Sequence, residues 1–221
     1  MKAHDIILTI AVAFCFLQLF CGCTEETQPD SAKEDEEEEK SADTIPLLTV
    51  PYIDESDVSY IQPFGVPLDF GDNDIRPHAA VDFGCDDGIE FKASESGILG
   101  NIWLNYPHSY QFNIVIDDHY ILHYCVEPGN ISVLNDTEKL EAIYFSPGDS
   151  VKKGQTICKM AGGPGHLDWG LIKDDERICP ACYFPDSEYA RINTLYKKLP
   201  GTYEGYENLC PDNEYHTNPR P

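Results

Sequence analysis

The sequence predicts a mostly β fold, an antiparallel sheet or sandwich core followed by a C-terminal helix. Three observations predict it. From about Pro46 the apolar residues come in short runs broken by Gly, Pro, Asn and Asp, the pattern of brief strands joined by turns. Only one stretch, late in the chain, carries a helical period. The first fifth of the 221 residues has a composition that does not fold, so the remainder suits one globular domain.

The chain opens on an apolar run, Ile6 to Phe20, behind a short start carrying Lys2. Such a run is short for a bilayer span and suits the apolar region of an export signal. It closes on Leu19-Phe20-Cys21-Gly22-Cys23, which resembles a bacterial lipobox. On that resemblance Cys23 is the lipidated residue and becomes the first of the mature protein. Two or three acyl chains would anchor it to a membrane without a spanning helix. The protein is therefore expected to be exported to the cell envelope and lipid-anchored to a bacterial membrane.

Residues Thr24 to Ile45 are almost devoid of apolar side chains and include six consecutive acids, Glu34 to Glu39. Nothing there offsets the entropy of ordering, and like charges repel, so an extended tether is expected. Its reach is at most roughly 70 Å, at about 3.3 Å per residue.

Five strands follow by alternation and punctuation: Gly97 to Leu104, Phe112 to Ile116, Tyr120 to Val126, Thr156 to Met160 and His166 to Ile172. Near the end, Asp186 or Ser187 is placed to cap a helix whose Tyr189, Ile192, Leu195, Tyr196 and Leu199 share a face. Pro200-Gly201 stops it, and Pro211 to Pro221 read as loose chain. The divisions are a signal segment over 1–22, an acidic tether over 23–45, a β domain over 46–175 and a Cys-containing extension with one helix over 176–221.

A formal charge of −24 argues against nucleic acid as a partner and against adhesion to anionic lipid, since both need clustered Lys or Arg. An anionic wall polymer would have to be recognised by shape and local contacts. Of nine cysteines, six remain once the signal and Cys23 are set aside: Cys85, Cys125, Cys158, Cys179, Cys182 and Cys210. In an exported chain they point to structural disulfides, with pairing open. Cys179-Pro-Ala-Cys182 could instead be a redox motif or half a zinc knuckle, but it lacks a βαβ context and a second CxxC.

Three segments carry chemistry in a fixed order: Arg76-Pro-His78-Ala-Ala-Val-Asp82-Phe-Gly84, then Ser146-Pro-Gly-Asp-Ser-Val151-Lys-Lys-Gly154-Gln-Thr-Ile157, then Gly165-His166-Leu167-Asp168-Trp169-Gly170-Leu171. Together with Ala93-Ser-Glu-Ser-Gly97 and His123-Tyr124-Cys125-Val126, they resemble the lysostaphin-type (LytM-like) zinc endopeptidases of peptidoglycan over roughly residues 60 to 172. The middle segment alone also resembles biotinyl and lipoyl carriers, which have no need of HxxxD.

The resemblance implies a LytM-type peptidase β domain, a zinc cofactor and peptidoglycan peptides as partners. It implies that His78 and Asp82 are metal ligands and that His166 is the catalytic base or transition-state donor. Asp168 stands where the family has its third ligand, a His; a carboxylate is itself an acceptable zinc ligand, and strand alternation keeps it on the face of His166. Cys125 stands where the family has a second catalytic His. His123, two residues earlier on the same face, is the candidate substitute, with His119 a further one. Two functions stay open: a metalloendopeptidase of wall crosslink peptides, or a non-catalytic module that binds wall or regulates other wall hydrolases.

Overall fold

A computed structural model describes residues 45–69, 71, 73–104, 108–200 and 203–210. The signal segment, Cys23 and nearly all of the tether lie outside these residues, as does the segment from Pro211 onward. Twelve strands are formed among the described residues: β1 Tyr60–Gln62, β2 Pro67–Asp69, β3 Ile75–Pro77, β4 Val81–Cys85, β5 Glu90–Lys92, β6 Gly97–Trp103, β7 Tyr110–Val115, β8 Tyr120–Pro128, β9 Ser150–Val151, β10 Thr156–Lys159, β11 Gly165–Lys173 and β12 Glu176–Ile178. The same residues form two α-helices, α1 Asp136–Glu141 and α2 Asp186–Lys198. The expected mostly β, antiparallel architecture with a C-terminal helix is what the chain adopts. No helix among the described residues is long and apolar enough to cross a membrane.

One sheet dominates, in the order β1-β4-β11-β8-β7-β6-β9, with β12 added beside the far end of β11. Its long strands are two-faced. In β11, Leu167, Trp169 and Leu171 are fully buried, while His166, Asp168 and Gly170 point the other way. Tyr120, Leu122, Tyr124 and Val126 of β8 share the core side; His123, Cys125 and Glu127 share the other. The core is aromatic: Trp169 stacks on Phe184 and packs against Phe83, and Phe112 stacks on Tyr124. Across it lies the small β5–β10 sheet, tied to the large one by two tyrosines. The Tyr110 hydroxyl donates to the Lys159 carbonyl at 2.5 Å, and the Tyr124 hydroxyl accepts from the Ser94 amide at 2.8 Å.

All five expected strands are present within a few residues of their predicted ends. Helix α2 begins at Asp186, and neither Asp186 nor Ser187 is its cap residue: Pro185 holds that position and has no side-chain acceptor to offer. Asp186 and Glu188 there still oppose the helix dipole, as Lys197 and Lys198 do at the far end. Its predicted face is buried through Tyr189, Ile192, Leu195 and Tyr196, with Leu199 packed against the same core.

The cysteines form one bond among the described residues, Cys179–Cys210, and Cys85, Cys125 and Cys158 are buried thiols on separate strands. The bond fixes the segment 203–210, whose Leu209 carbonyl also accepts from the Phe64 amide. Cys182 Sγ lies 3.2 Å from Cys210 Sγ. With a sequence separation of 31 between the bonded cysteines, loop-closure entropy gives the crosslink about 3–4 kcal/mol. Cys210→Ser should remove all of it in urea denaturation, whereas Cys179→Ser should lose less, because Cys182 is placed to bond Cys210 instead.

Candidate metal centre

The face of the sheet opposite the aromatic core carries the site. Register aligns it in two rungs: Gln62, Asp82, Asp168 and Cys125 lie side by side across β1, β4, β11 and β8, and Tyr60, Gly84, His166 and Glu127 form the next. His78 enters from the turn after β3. Its backbone is held at both groups, the amide by Val66 and the carbonyl by Gly65. His78 and all of the rung residues but Cys125 and Gly84 line a cleft of about 770 Å³, with Tyr203 and Arg177 on its walls.

The His78, Asp82 and Asp168 side chains converge. His78 Nε2 is 3.1 Å from Asp168 Oδ2 and 3.6 Å from Asp82 Oδ1, and one ligand atom from each residue lies within 4.8 Å of the others. Two carboxylate oxygens, Asp82 Oδ1 and Asp168 Oδ1, are buried with no hydrogen-bond partner. Orphaned buried acceptors are costly unless something positive is shared between them.

The titration of the cluster reflects that cost. Burial, with Asp168 beside it, raises the Asp82 carboxyl to about 7 against the opposing pull of His78. Burial pushes Asp168 upward too, but the hydrogen bond from His78 and its charge outweigh this and hold it below the usual range. Burial opposes the charge on His78, yet the bond to Asp168 and the nearby carboxylates raise its pKa.

The cluster fits a divalent cation. His78 Nδ1 is 3.3 Å from the Gln62 amide nitrogen, and the Tyr203 hydroxyl donates to Gln62 Oε1 at 2.6 Å. With the Gln62 amide turned over, its oxygen accepts from His78 Nδ1–H, its nitrogen donates to the Tyr203 hydroxyl, and the Nε2 lone pair faces the two carboxylates, the tautomer that a metal requires. An imidazole and two carboxylates form an N/O donor set that zinc accepts, with a harder character than two imidazoles and one carboxylate.

His166 stands beside this group. Its Nε2 is 3.4 Å from Glu127 Oε2 and 3.8 Å from Asp82 Oδ2. Burial lowers its pKa, but Glu127 and the other carboxylates more than restore it. Cys125 is on the shared face as expected; its thiol donates to Glu127 Oε1 at 3.3 Å, and burial pushes its pKa upward, so it stays protonated. His123 is one rung further on, opposite Gly170, outside the lining of the cleft. Its ring is buried against Trp103, and burial lowers its pKa to about 4. His119 is remote, paired with Asp174 at 2.6 Å. The structure thus brings together His78, Asp82, Asp168 and His166, and adds Glu127, Gln62, Tyr60 and Tyr203.

No protein-family model matches the sequence, and no curated protein matches it. Solved structures do. One is a zinc-containing peptidase from Vibrio cholerae, 18% identical with a TM-score of 0.46, covering 60% of this chain and 38% of that one. Another is Csd3 of Helicobacter pylori, 21% identical with a TM-score of 0.46, covering 69% and 40%. A chain of the SpoIIQ-SpoIIIAH pore-forming complex is 16% identical with a TM-score of 0.47, covering 67% and 98%. Such identities bear on the fold alone. The chain spans about two fifths of the length of the first two of these structures.

Gly84 explains how the second rung closes. A Cβ there would sit 2.1 Å from the Tyr60 ring, whose centroid is 6.4 Å from that of His166. Gly84→Ala should therefore displace Tyr60 and destabilise the fold by about 1–3 kcal/mol. In urea midpoints, the double variant Gly84→Ala/Tyr60→Ala should cost clearly less than the sum of the single changes.

Proposed function

We propose that this chain is a LytM-like metallopeptidase of the bacterial cell envelope, acting on peptide bonds of peptidoglycan crosslinks. The observation that carries the reading is the convergence of His78, Asp82 and Asp168 around two buried carboxylate oxygens that accept no hydrogen bond. Zinc held by these three residues would supply Lewis acidity toward a peptide carbonyl and a water poised for deprotonation. His166 Nε2 takes and returns the proton, and Glu127, 3.4 Å away, stabilises the imidazolium that forms. Gln62 and Tyr203 fix the ring of His78 from behind. Tyr60 packs beside His166 and excludes water from one side.

A second reading has its own observation. Cys125 offers no proton donor to the cleft, since its thiol is spent on Glu127, and His123 is buried one rung away. On that reading the groove binds wall peptides without cutting them, localising or regulating other wall hydrolases. Purified protein should contain one divalent ion per chain, lost in His78→Ala. Asp168→His should tighten zinc binding, and adding Cys125→His, whose side chain faces the same rung, should raise peptidoglycan hydrolysis by about 10²-fold. Firm zinc binding by the double variant with purified walls left intact would establish the binding module instead. Absence of saturable zinc binding in the wild type would remove the metal reading.

The anchor belongs to the same proposal. Labelled fatty acid should enter the wild type and be lost in Cys23→Ser, which should then appear in the soluble fraction; unlabelled, soluble wild type would overturn it.

A further inference from the structure

Arg177 is a cation whose charge is felt at Asp168 and His123 but whose guanidinium makes no direct polar contact among the described residues. It lies in β12 opposite Ile172 of β11, so it shares the face that carries His166 and Asp168. Its guanidinium lies over Gly170: a Cβ on that glycine would be 3.2 Å from Nη1, and the missing side chain leaves it room. The residue is exposed and lines the cleft together with Asp168 and His166. Among the described residues the guanidinium enters no hydrogen bond and no ion pair, although the chain has 39 acids for 15 Lys and Arg. By contrast Arg191, the comparable arginine of α2, is paired with both Glu55 and Glu188.

We infer that Arg177 forms a carboxylate-binding subsite at the end of the cleft, so that the peptide bound there carries a free carboxylate one or two residues beyond the group held at the metal centre. This rests on the peptide-groove reading above. A guanidinium presents a planar fork of donors that matches a carboxylate in two parallel hydrogen bonds. Gly170 is two residues along β11 from Asp168, roughly 6–7 Å at strand spacing. One peptide residue spans at most about 3.6 Å, so the carboxylate falls one to two residues beyond the bond at the centre. That register suits the C-terminal end of a short stem peptide, or an acidic side chain near it. It disfavours a long uncharged bridge. Against a net charge of −24, which repels anions at a distance, such a subsite also provides the local contact that an acidic wall peptide requires.

A synthetic wall stem peptide in three forms tests it: all carboxylates free, the C-terminus amidated, or the side-chain carboxylates amidated. Each is titrated calorimetrically against the full chain loaded with zinc, and against Arg177→Gln and Arg177→Lys. One of the two amidations should weaken binding to the wild type about tenfold. Which one does so identifies the carboxylate. Arg177→Gln should bind all forms equally weakly, and Arg177→Lys should keep part of the preference, having charge without the fork. Equal binding of all forms by the wild type, or an undiminished preference in Arg177→Gln, overturns the subsite while leaving the metal site standing. No binding of any form overturns the subsite and the groove reading together. Metal content, measured separately, still reports on the centre itself.

Discussion

The register of β11 against its two neighbours governs everything else in this molecule. On one edge Asp168 lies opposite Asp82 of β4, and on the other it lies opposite Cys125 of β8; the next rung sets His166 between Gly84 and Glu127. Side chains alternate strictly, so this one alignment sends Leu167, Trp169 and Leu171 into the core and the polar residues to the cleft. A slip of one residue would bury two ionisable groups among aromatic rings and expose Trp169. The hydrophobic cost of that exchange is what holds His166 and Asp168 in place. The chemistry is therefore specified by the packing on the opposite side of the sheet.

The same arrangement makes the centre electrostatically tense. Asp82 is 4% exposed and faces a second carboxylate across the rung, with one imidazole to share between them. Burial of like charges is tolerated only where a cation or proton sits among them. His78 supplies part of that charge, and its orientation is set by residues from opposite ends of the domain, Gln62 and Tyr203. An added carboxylate, Glu127, extends the pairing to His166. The result is a cluster with more negative charge than two histidines could balance, which is the physical reason a divalent ion fits it.

Much of the fold was legible in the sequence, and so was about half of the site. The long strands announced themselves by alternation, and helix α2 by the spacing of Tyr189, Ile192, Leu195 and Tyr196. Strands of three residues, such as β1, β2 and β12, are too short to show a period and are defined by their partners. Helix α1 did carry a signal, a capping box from Asn135 to Glu138. His78, Asp82, His166 and Asp168 were readable because their motif spacing is local. Glu127 could have been found by the alternation that placed Cys125 on the cleft face. Gln62, Tyr60 and Tyr203 could not, since each reaches the site through contacts across long stretches of chain, and Arg177 lies on a three-residue strand too short to show a period. The helix cap was misplaced by one residue because Pro185 fixes the entry into α2 without a side-chain acceptor.

The disulfide between Cys179 and Cys210 has a meaning beyond its own stability. It pins the segment that ends at Cys210, and that segment delivers Tyr203 to Gln62, a hydrogen bond between residues 141 positions apart. The candidate ligands end at Asp168. The orienting shell around His78 is thus finished by chain that emerges from the ribosome well after them. Completion of that shell is tied to the oxidation of two thiols, Cys179 and Cys210, that lie beyond every residue of the cluster.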